Sequence, residues 1–318
     1  MAVPTTTGPP HSPVRAGGTP VSDEDAPGSE VDRSRSAADT AGADVSIVDT
    51  PGGTGFPGGA AAMAQRIRQD VIRMAGGPEG AHAGGSLSCA DLMAVLHAEL
   101  LRPGDSFVLS KGHAAPALYS ALVQLGRLPA EELDSYARPG SRLFGHPAHD
   151  LPGVEFATGS LGHGLGLSIG LALAERLRGG DRRVYTVLGD GELQEGSVWE
   201  AALLAGHRKL SGLVATVDRN GLQITGGTEG CVALEPLDAK FAAFGWQVRT
   251  VDGHDLAALR EALRPSADGP VAVIAETVKG RGVPFLERKV AGHYAKLKPA
   301  LVQRALAALA KSAKGAPS

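Results

Sequence analysis

The sequence predicts an α/β fold with three layers, α/β/α, built around a mostly parallel sheet. Five short runs, four of them mainly apolar, follow one another along the chain, and a helical pattern or a long loop separates each from the next. Strands that are apolar on both faces are typical of a parallel sheet that helices cover on its two sides. The chain has 318 residues, of which 43% are hydrophobic, and this is enough for a domain with a sizeable core.

The predicted elements come in an order that suits such a fold. We expect a first helix over Ala60–Met74 and a second over Ser88–Leu101, which Ser88 or one of its neighbours would cap. A last helix is expected over about Pro299–Lys311, where apolar residues recur at helical spacing. The runs expected to form strands cover residues 106–109, 184–188, 213–217, 247–251 and 271–275. No internal repeat is visible, so we expect a single domain over residues 60–318.

Residues 1–59 differ in composition from the rest of the chain. They contain 10 Gly and 8 Pro, and their 8 acidic and 3 basic residues give them a net charge of −5. Large apolar residues are sparse there and follow no helical or strand period, so the segment cannot bury enough surface to offset the entropy of ordering. We expect a disordered N-terminal extension, and a docking or regulatory tail is the alternative.

Charge and cysteine usage limit the partners and the cellular compartment that we expect. The formal net charge of −3 gives no reason to expect nucleic acid or a membrane as a partner. The two cysteines cannot build a disulfide framework, and the N-terminus lacks the basic start and apolar run of a secretory signal. We therefore expect a cytoplasmic protein.

The strongest local signal lies in residues 184–226. A buried strand is followed by a Gly-Asp-Gly turn, a helix, a second buried strand and a loop that opens with Asn220. Asp190 and Asn220 thus fall at the carboxyl ends of neighbouring strands, where open parallel sheets bind their ligands. A carboxylate and an amide oxygen placed together suit a hard cation such as Mg²⁺ bound to a diphosphate.

The turn itself has features of a phosphate site. Gly189 and Gly191 let the backbone approach a ligand closely. A helix is expected to start near Glu192, and its N-terminus would favour the negative charge of the phosphates. A lone Asp at a strand end is more often a turn former, and the spacing to Asn220 is what favours a metal site here.

These residues also carry a family resemblance. A Gly-Asp-Gly sequence with 28 residues between it and Asn220 resembles the thiamine diphosphate signature. The neighbouring blocks resemble, in order, the N-terminal, diphosphate-binding portion of transketolases, and the match runs from about residue 60 to residue 298. The blocks are HAGGSLSCADL (82–92), FVLSKGHAAPALY (107–119), GHP (145–147), PGVEFATGSLGHGLG (152–166), VDGHD (251–255) and ETVKGRGVPF (276–285).

The resemblance implies a set of cofactor contacts. Asp190, Asn220 and the backbone carbonyl of Leu222 match the Mg²⁺ ligands of the family, and the loop around Gly159–Gly162 matches the one that contacts the diphosphate. The cofactor contacts implied in this chain are His113, Gly159, Ser160, Leu161, Gly162, His163, Gly189, Asp190, Gly191, Glu192, Asn220 and Leu222.

The resemblance also implies catalytic residues. Four histidines match those that line the substrate channel and handle protons, a role that suits the pKa of imidazole: His82, His113, His146 and His293. Glu195 and Glu200 match residues that link paired active sites across a dimer, although at about 140° apart around a helix they could equally be solvated charges. We expect His254 to be a loop packing residue.

The chain departs from the family at two positions and in length. His163 stands where the family usually has Gln, and Tyr294 stands where a Gly usually follows the last histidine. The family's full-length enzymes also have a pyrimidine-binding domain, with the glutamate that activates the cofactor, and a further C-terminal domain. Neither has a counterpart in this sequence, which resembles the first subunit of a split transketolase.

Together these features imply a subunit that is active only with a C-terminal transketolase subunit carrying the pyrimidine-binding domain, as a heterotetramer. The reaction implied is transfer of a two-carbon ketol unit from a ketose or ketose phosphate to an aldehyde. One alternative is another thiamine diphosphate enzyme that forms C–C bonds, from specialised metabolism or similar to deoxyxylulose-phosphate synthase. A second alternative is a non-catalytic regulatory paralogue.

Overall fold

The central feature of the fold is a five-stranded sheet whose strands are all parallel. The computed structural model describes residues 56–314, so the extension predicted for residues 1–59 lies almost entirely outside the described residues. The strand order is β1-β2-β3-β5-β4. The strands are β1 Ser106–Leu109, β2 Val184–Gly189, β3 Leu213–Arg219, β4 Gln247–Asp252 and β5 Val271–Glu276. All five lie at the predicted places, which confirms the α/β class.

Helices cover both faces of this sheet and make two separate cores. Tyr185 and Val187 of β2 pack into one core, while Val184 and Leu188 pack into the other. The alternation follows from the two-residue period of a strand and explains why β2 is buried along its whole length. The helices are α1 Gly59–Ala75, α2 Ala83–Ser88, α3 Ala90–Val95, α4 Ala115–Gln124, α5 Gly164–Arg178, α6 Gly196–His207, α7 Thr228–Cys231, α8 Leu237–Ala243, α9 Leu256–Ala262 and α10 Pro299–Lys314.

The second predicted helix, Ser88–Leu101, corresponds to α3 and a π-helical segment that run from Ala90 to Leu100. Cys89, a neighbour of Ser88, lies at the N-cap position but provides no side-chain cap. The short helix α2 before it was not predicted, and Ser88 is its last residue. The Ser88 hydroxyl donates to the carbonyl of Gly85 and to the carboxylate of Asp218, so it caps no helix. Tertiary packing outweighs the low helix propensity of the glycines in α2.

The helix predicted to start near Glu192 also begins elsewhere. Residues Gly191–Gln194 form one 3₁₀ turn, and α6 starts only at Gly196. The reason is that the side chain of Glu192 turns inward, where its carboxylate accepts hydrogen bonds from the protein interior. No helix N-terminus therefore lies at Glu192, where one was expected to favour the phosphates.

The topology gathers polar residues at one edge of the sheet. The carboxyl ends of β1, β2, β3 and β5 lie side by side. In the parallel register Leu109 pairs with Val187, Gly189 pairs with Asp218, and Arg219 pairs with Glu276. The segments that leave these ends begin at residues 110, 190, 220 and 277. Among the described residues, no helix is long and apolar enough to cross a membrane.

Candidate cofactor and active site

The residues predicted to hold a metal lie together at this edge. Asp190 follows β2 and Asn220 follows β3, and Gly189 of the first strand pairs in register with Asp218 of the second. The amide oxygen of Asn220 accepts from the backbone N–H of Leu222 at 3.1 Å, which ties the start of the loop together. The Leu222 carbonyl accepts from the ammonium of Lys279 at 2.9 Å.

The oxygen atoms of this group suit a hard cation. One carboxylate, one amide oxygen and one backbone carbonyl are ligands that Mg²⁺ accepts, with diphosphate oxygens and water completing the set. No cluster of three or more His, Cys, Asp or Glu side chains that could hold a metal by itself occurs within residues 56–314. A cation here would therefore depend on the oxygens of its bound diphosphate, and the residues present fit such a group.

The surroundings of Asp190 disfavour the ionised form of its carboxyl group. Burial, and then the neighbouring carboxylate of Asp218, raise the pKa of Asp190. Its carboxylate accepts from the backbone N–H groups of Gly191 and Gly221, and the guanidinium of Arg219 lies 3.3 Å away. A divalent cation would add the charge that stabilises the ionised form.

A buried ion pair lies next to the residues predicted to hold a metal, and sequence reasoning missed it. Lys111 and Asp218 form a salt bridge in the interior, and both side chains are almost fully buried. Burial alone raises the pKa of Asp218, but Lys111 and the hydroxyls of Ser88 and Thr277 lower it below its usual value. The amide of Asn220 also donates to Asp218 at 3.3 Å, so the pair orients a predicted metal ligand. Buried charges rarely occur unpaired, and this rule is the only sequence signal that could have pointed to them.

The loop predicted to contact the diphosphate is tied to the sheet through Glu192. The Glu192 carboxylate accepts from the hydroxyl of Ser110, from the N–H of Gly162 at 3.0 Å and from the N–H of Gly189 at 3.0 Å. Its side chain is only 1% exposed. Glu192 was predicted as a cofactor contact, and this geometry supports a positioning role in which it joins the loop to the ends of β1 and β2.

The remaining loop residues lie at the surface of this site. Gly162 has a φ of 88°, and a Cβ there would lie 2.6 Å from the hydroxyl of Ser197, so only glycine fits. Gly159, Ser160 and Leu161 are partly or fully exposed. His163 is exposed, and its ring nitrogen Nδ1 lies 3.2 Å from the carbonyl of Ser160.

The four predicted histidines come together around His82. The centroid of its ring lies 5.8 Å from that of His113, 5.6 Å from that of His146 and 5.5 Å from that of His293. Since these residues come from four separate segments, only the tertiary structure shows that they form one cluster. His113 lies at the end of β1, next to Lys111, and so joins the cluster to the diphosphate edge.

The cluster is neutral near physiological pH. Burial, and then His146 and Lys279, lower the pKa of His82 to about 4. Burial followed by Lys279 lowers the pKa of His293 to about 4 as well, and burial lowers the pKa of His113 well below its ordinary value. A neutral imidazole can both donate and accept a hydrogen bond, whereas the lowered pKa values make these rings weaker bases than a free histidine.

Lys279 is a third residue that the motifs did not single out. Its ammonium contacts the Leu222 carbonyl and lies 3.1 Å from Nδ1 of His293, so it stands between a predicted metal ligand and one of the histidines. Burial, and then the nearby Lys111, lower its pKa to about 8. It places a positive charge where an anionic ligand would meet the histidines.

The two glutamates predicted to link active sites lie on the surface. Glu195 precedes α6 and Glu200 lies within it, and both side chains are exposed. Their proposed role across a dimer stays a prediction. His254 packs in its loop as expected, because its Nδ1 lies 2.8 Å from Asp91 and its Nε2 accepts from the N–H of Val278 at 2.9 Å.

The fold and the site together define a thiamine diphosphate-binding α/β domain. Residues 60–312 match the family described as "Transketolase, thiamine diphosphate binding domain". The chain belongs to the transketolase family.

Two relatives are named as subunits of transketolases. The 6-deoxy-6-sulfo-D-fructose transketolase subunit SqwG of Clostridium sp. (strain MSTE9) is 41% identical over 244 residues, which cover 72% of this chain and 88% of that subunit. An apulose-4-phosphate transketolase subunit of Actinobacillus succinogenes is 39% identical over 245 residues, which cover 73% of this chain and 88% of that subunit.

Solved structures share the fold. The transketolase from Campylobacter jejuni superimposes with a TM-score of 0.71 at 30% identity, and the match covers 80% of this chain and 42% of that one. The chain thus spans most of the length of the transketolase subunits that it matches and less than half of this longer transketolase.

Proposed function

We propose that this chain is the diphosphate-binding subunit of a two-component transketolase. The complex would transfer a two-carbon ketol unit from a ketose or ketose phosphate to an aldehyde. The observation that carries the proposal is the neutral cluster of His82, His113, His146 and His293 beside the edge formed by Asp190 and Asn220. Such a site can hold a charged cofactor at one end and move substrate protons at the other.

Thiamine diphosphate and Mg²⁺ are the cofactors of this proposal. Asp190, Asn220 and the Leu222 carbonyl would ligate the metal, while the loop that Glu192 holds would contact the diphosphate. The thiazolium ring supplies the carbanion chemistry that breaks and forms the C–C bond.

The protein's own groups supply position and proton transfer. The histidines are neutral near physiological pH and are expected to accept protons from the hydroxyls of the substrate and to return them. The Lys279 ammonium lies 3.1 Å from His293, where it would attract an anionic sugar and keep that histidine unprotonated. Both relatives described above act on sugars that carry an anionic group, according to their names.

A partner subunit is part of the proposal. Two relatives are named as subunits, and each is matched over 88% of its length. The partner would be a C-terminal transketolase subunit that contributes the pyrimidine-binding domain and its activating glutamate, in a cytoplasmic heterotetramer.

Co-expression of the two subunits tests the function. The purified complex, supplied with thiamine diphosphate and Mg²⁺, is expected to transfer a ketol unit from ketose phosphates, whereas this chain alone is not. Transfer by the purified chain alone would contradict the need for a partner. If the complex used pyruvate and no ketose as donor, it would be an enzyme similar to deoxyxylulose-phosphate synthase.

Binding data separate an enzyme from a regulatory paralogue. The complex of a regulatory paralogue would bind thiamine diphosphate with Mg²⁺ in a calorimetric titration and yet turn over neither class of donor. Asp190→Ala is expected to remove the Mg²⁺ dependence of that binding, because it deletes the only carboxylate among the proposed ligands.

A further inference from the structure

Tyr294 forms a fifth ring in the histidine cluster. Its centroid lies 4.8 Å from that of His82, and the two rings meet edge to face at 90°. This distance is shorter than those from His82 to any of the other three histidines. The Tyr294 side chain is 47% exposed, so it faces the cluster on one side and solvent on the other.

The position of this ring is fixed from both ends. Its hydroxyl donates to the carbonyl of Glu79 at 2.7 Å. The next residue, Ala295, forms a two-way backbone bridge with Ala81, with N···O distances of 2.9 and 2.8 Å. Gly80 lies between these contacts with a φ of 74°, and a Cβ there would come within 2.7 Å of the Ala295 carbonyl, so the close approach requires glycine.

A ring held in this way cannot move aside at low cost. Rotating Tyr294 away from His82 would break the hydrogen bond to Glu79 and the edge-to-face contact, since the backbone bridge keeps its Cα in place. Any molecule that reaches His82 from this side must therefore fit past the ring. A fixed wall of this kind discriminates by size, because a larger ligand meets a clash that a smaller one avoids.

We propose that Tyr294 is a specificity-determining residue, a wall beside His82 that limits the length of the acceptor aldehyde that reaches the histidine cluster. This inference rests on the proposed ketol transfer and names the property of the sugar that the site selects. A site walled in this way accepts short aldehydes better than long ones. Tyr294 itself takes no part in proton transfer.

A pair of variants in the complete complex tests the size selection. Tyr294→Ala removes the ring, and Tyr294→Phe keeps the ring and loses only the hydroxyl. We expect Tyr294→Ala to raise the ratio of kcat/KM for a five-carbon aldehyde over that for a two-carbon aldehyde by about tenfold or more. Tyr294→Phe keeps the ring against His82 but loses the hydrogen bond to Glu79, so it should raise the ratio less than Tyr294→Ala does. An unchanged ratio in the alanine variant, or an equal fall for all aldehydes, would overturn the inference.

A second measurement needs no activity and separates this inference from the proposed function. Diethyl pyrocarbonate modifies neutral histidines, and peptide mass spectrometry of the full chain gives the rate at each one. Tyr294→Ala is expected to raise the rate at His82 relative to that at the exposed His163, and Tyr294→Phe, which keeps the ring but loses its hydrogen bond to Glu79, is expected to raise it less. An unchanged relative rate at His82 would show that the ring covers nothing. A complex that transfers no ketol unit would refute the proposed function, and this measurement would still decide the role of the ring.

Discussion

Replacing Glu192 by Gln tests the claim that this residue holds the diphosphate loop. The carboxylate accepts from three donors: the Ser110 hydroxyl, the N–H of Gly162 and the N–H of Gly189. Glutamine has the same shape but only one acceptor oxygen. In one orientation its NH₂ group faces the N–H of Gly189, and in the other it faces the N–H of Gly162, so one buried backbone donor always loses its partner.

The magnitude follows from that count. One unsatisfied buried N–H costs about 1–3 kcal/mol. A smaller effect acts in the opposite direction. Burial raises the pKa of Glu192 because it disfavours the charged carboxylate, and the neutral glutamine does not carry this cost. We expect Glu192→Gln to lower the free energy of unfolding by about 1–3 kcal/mol. Binding of thiamine diphosphate should weaken as well, since the loop loses one of its anchors.

The assay is urea unfolding of the purified chain, followed by a calorimetric titration with thiamine diphosphate and Mg²⁺. The matched control is Glu131→Gln, which makes the same chemical change at an exposed position and should alter stability by no more than about 0.5 kcal/mol. Unfolding of Glu192→Gln at the same urea concentration as the control, together with unchanged affinity for the cofactor, would refute the anchoring role.

Two further predictions concern buried charges. Asp218→Asn leaves the Lys111 ammonium buried without its charged partner and is expected to lower the free energy of unfolding by about 3–5 kcal/mol. Urea unfolding measures this loss, and adding Lys111→Met should recover part of it. Full stability of the single variant would contradict the prediction. His97 is buried, neither of its ring nitrogens has a partner, and burial followed by Arg127 lowers its pKa to about 3. Because the unfolded chain binds a proton at His97 below about pH 6.5 and the folded chain does not, stability should fall as the pH falls from about 6.5 toward 3. His97→Phe should make unfolding curves less dependent on pH over that window, and an unchanged dependence would count against the assignment.

The sequence predicted the residues at the carboxyl edge of the sheet more fully than the histidine cluster. Asp190 and Asn220 could be placed together because each follows an apolar run, and neighbouring parallel strands end at one edge of the sheet. The four histidines could be joined to one another only through a family resemblance. Their segments are separated by loops and helices, and no period or spacing in the chain encodes which of them meet.

The errors have a common physical cause. Ser88 was expected to cap a helix, and Glu192 was expected to begin one, from local patterns alone. In the structure the Ser88 hydroxyl instead donates to Asp218, and the carboxylate of Glu192 turns inward to three donors. Burying a carboxylate without partners costs several kcal/mol, more than a helix cap contributes, so long-range partners outweighed local preference.

By itself, the sequence determined the layered α/β class, the five strands and the edge at which a diphosphate would bind, because these depend on apolar periodicity and on the geometry of parallel strands. Only the tertiary structure decided what surrounds that edge. The pair of Lys111 and Asp218, the contact of Lys279 with His293 and the ring of Tyr294 against His82 all join residues that lie far apart or in irregular loops. Such contacts form when packing brings the segments together, and it is the burial in this packing that lowers the pKa values of the histidines.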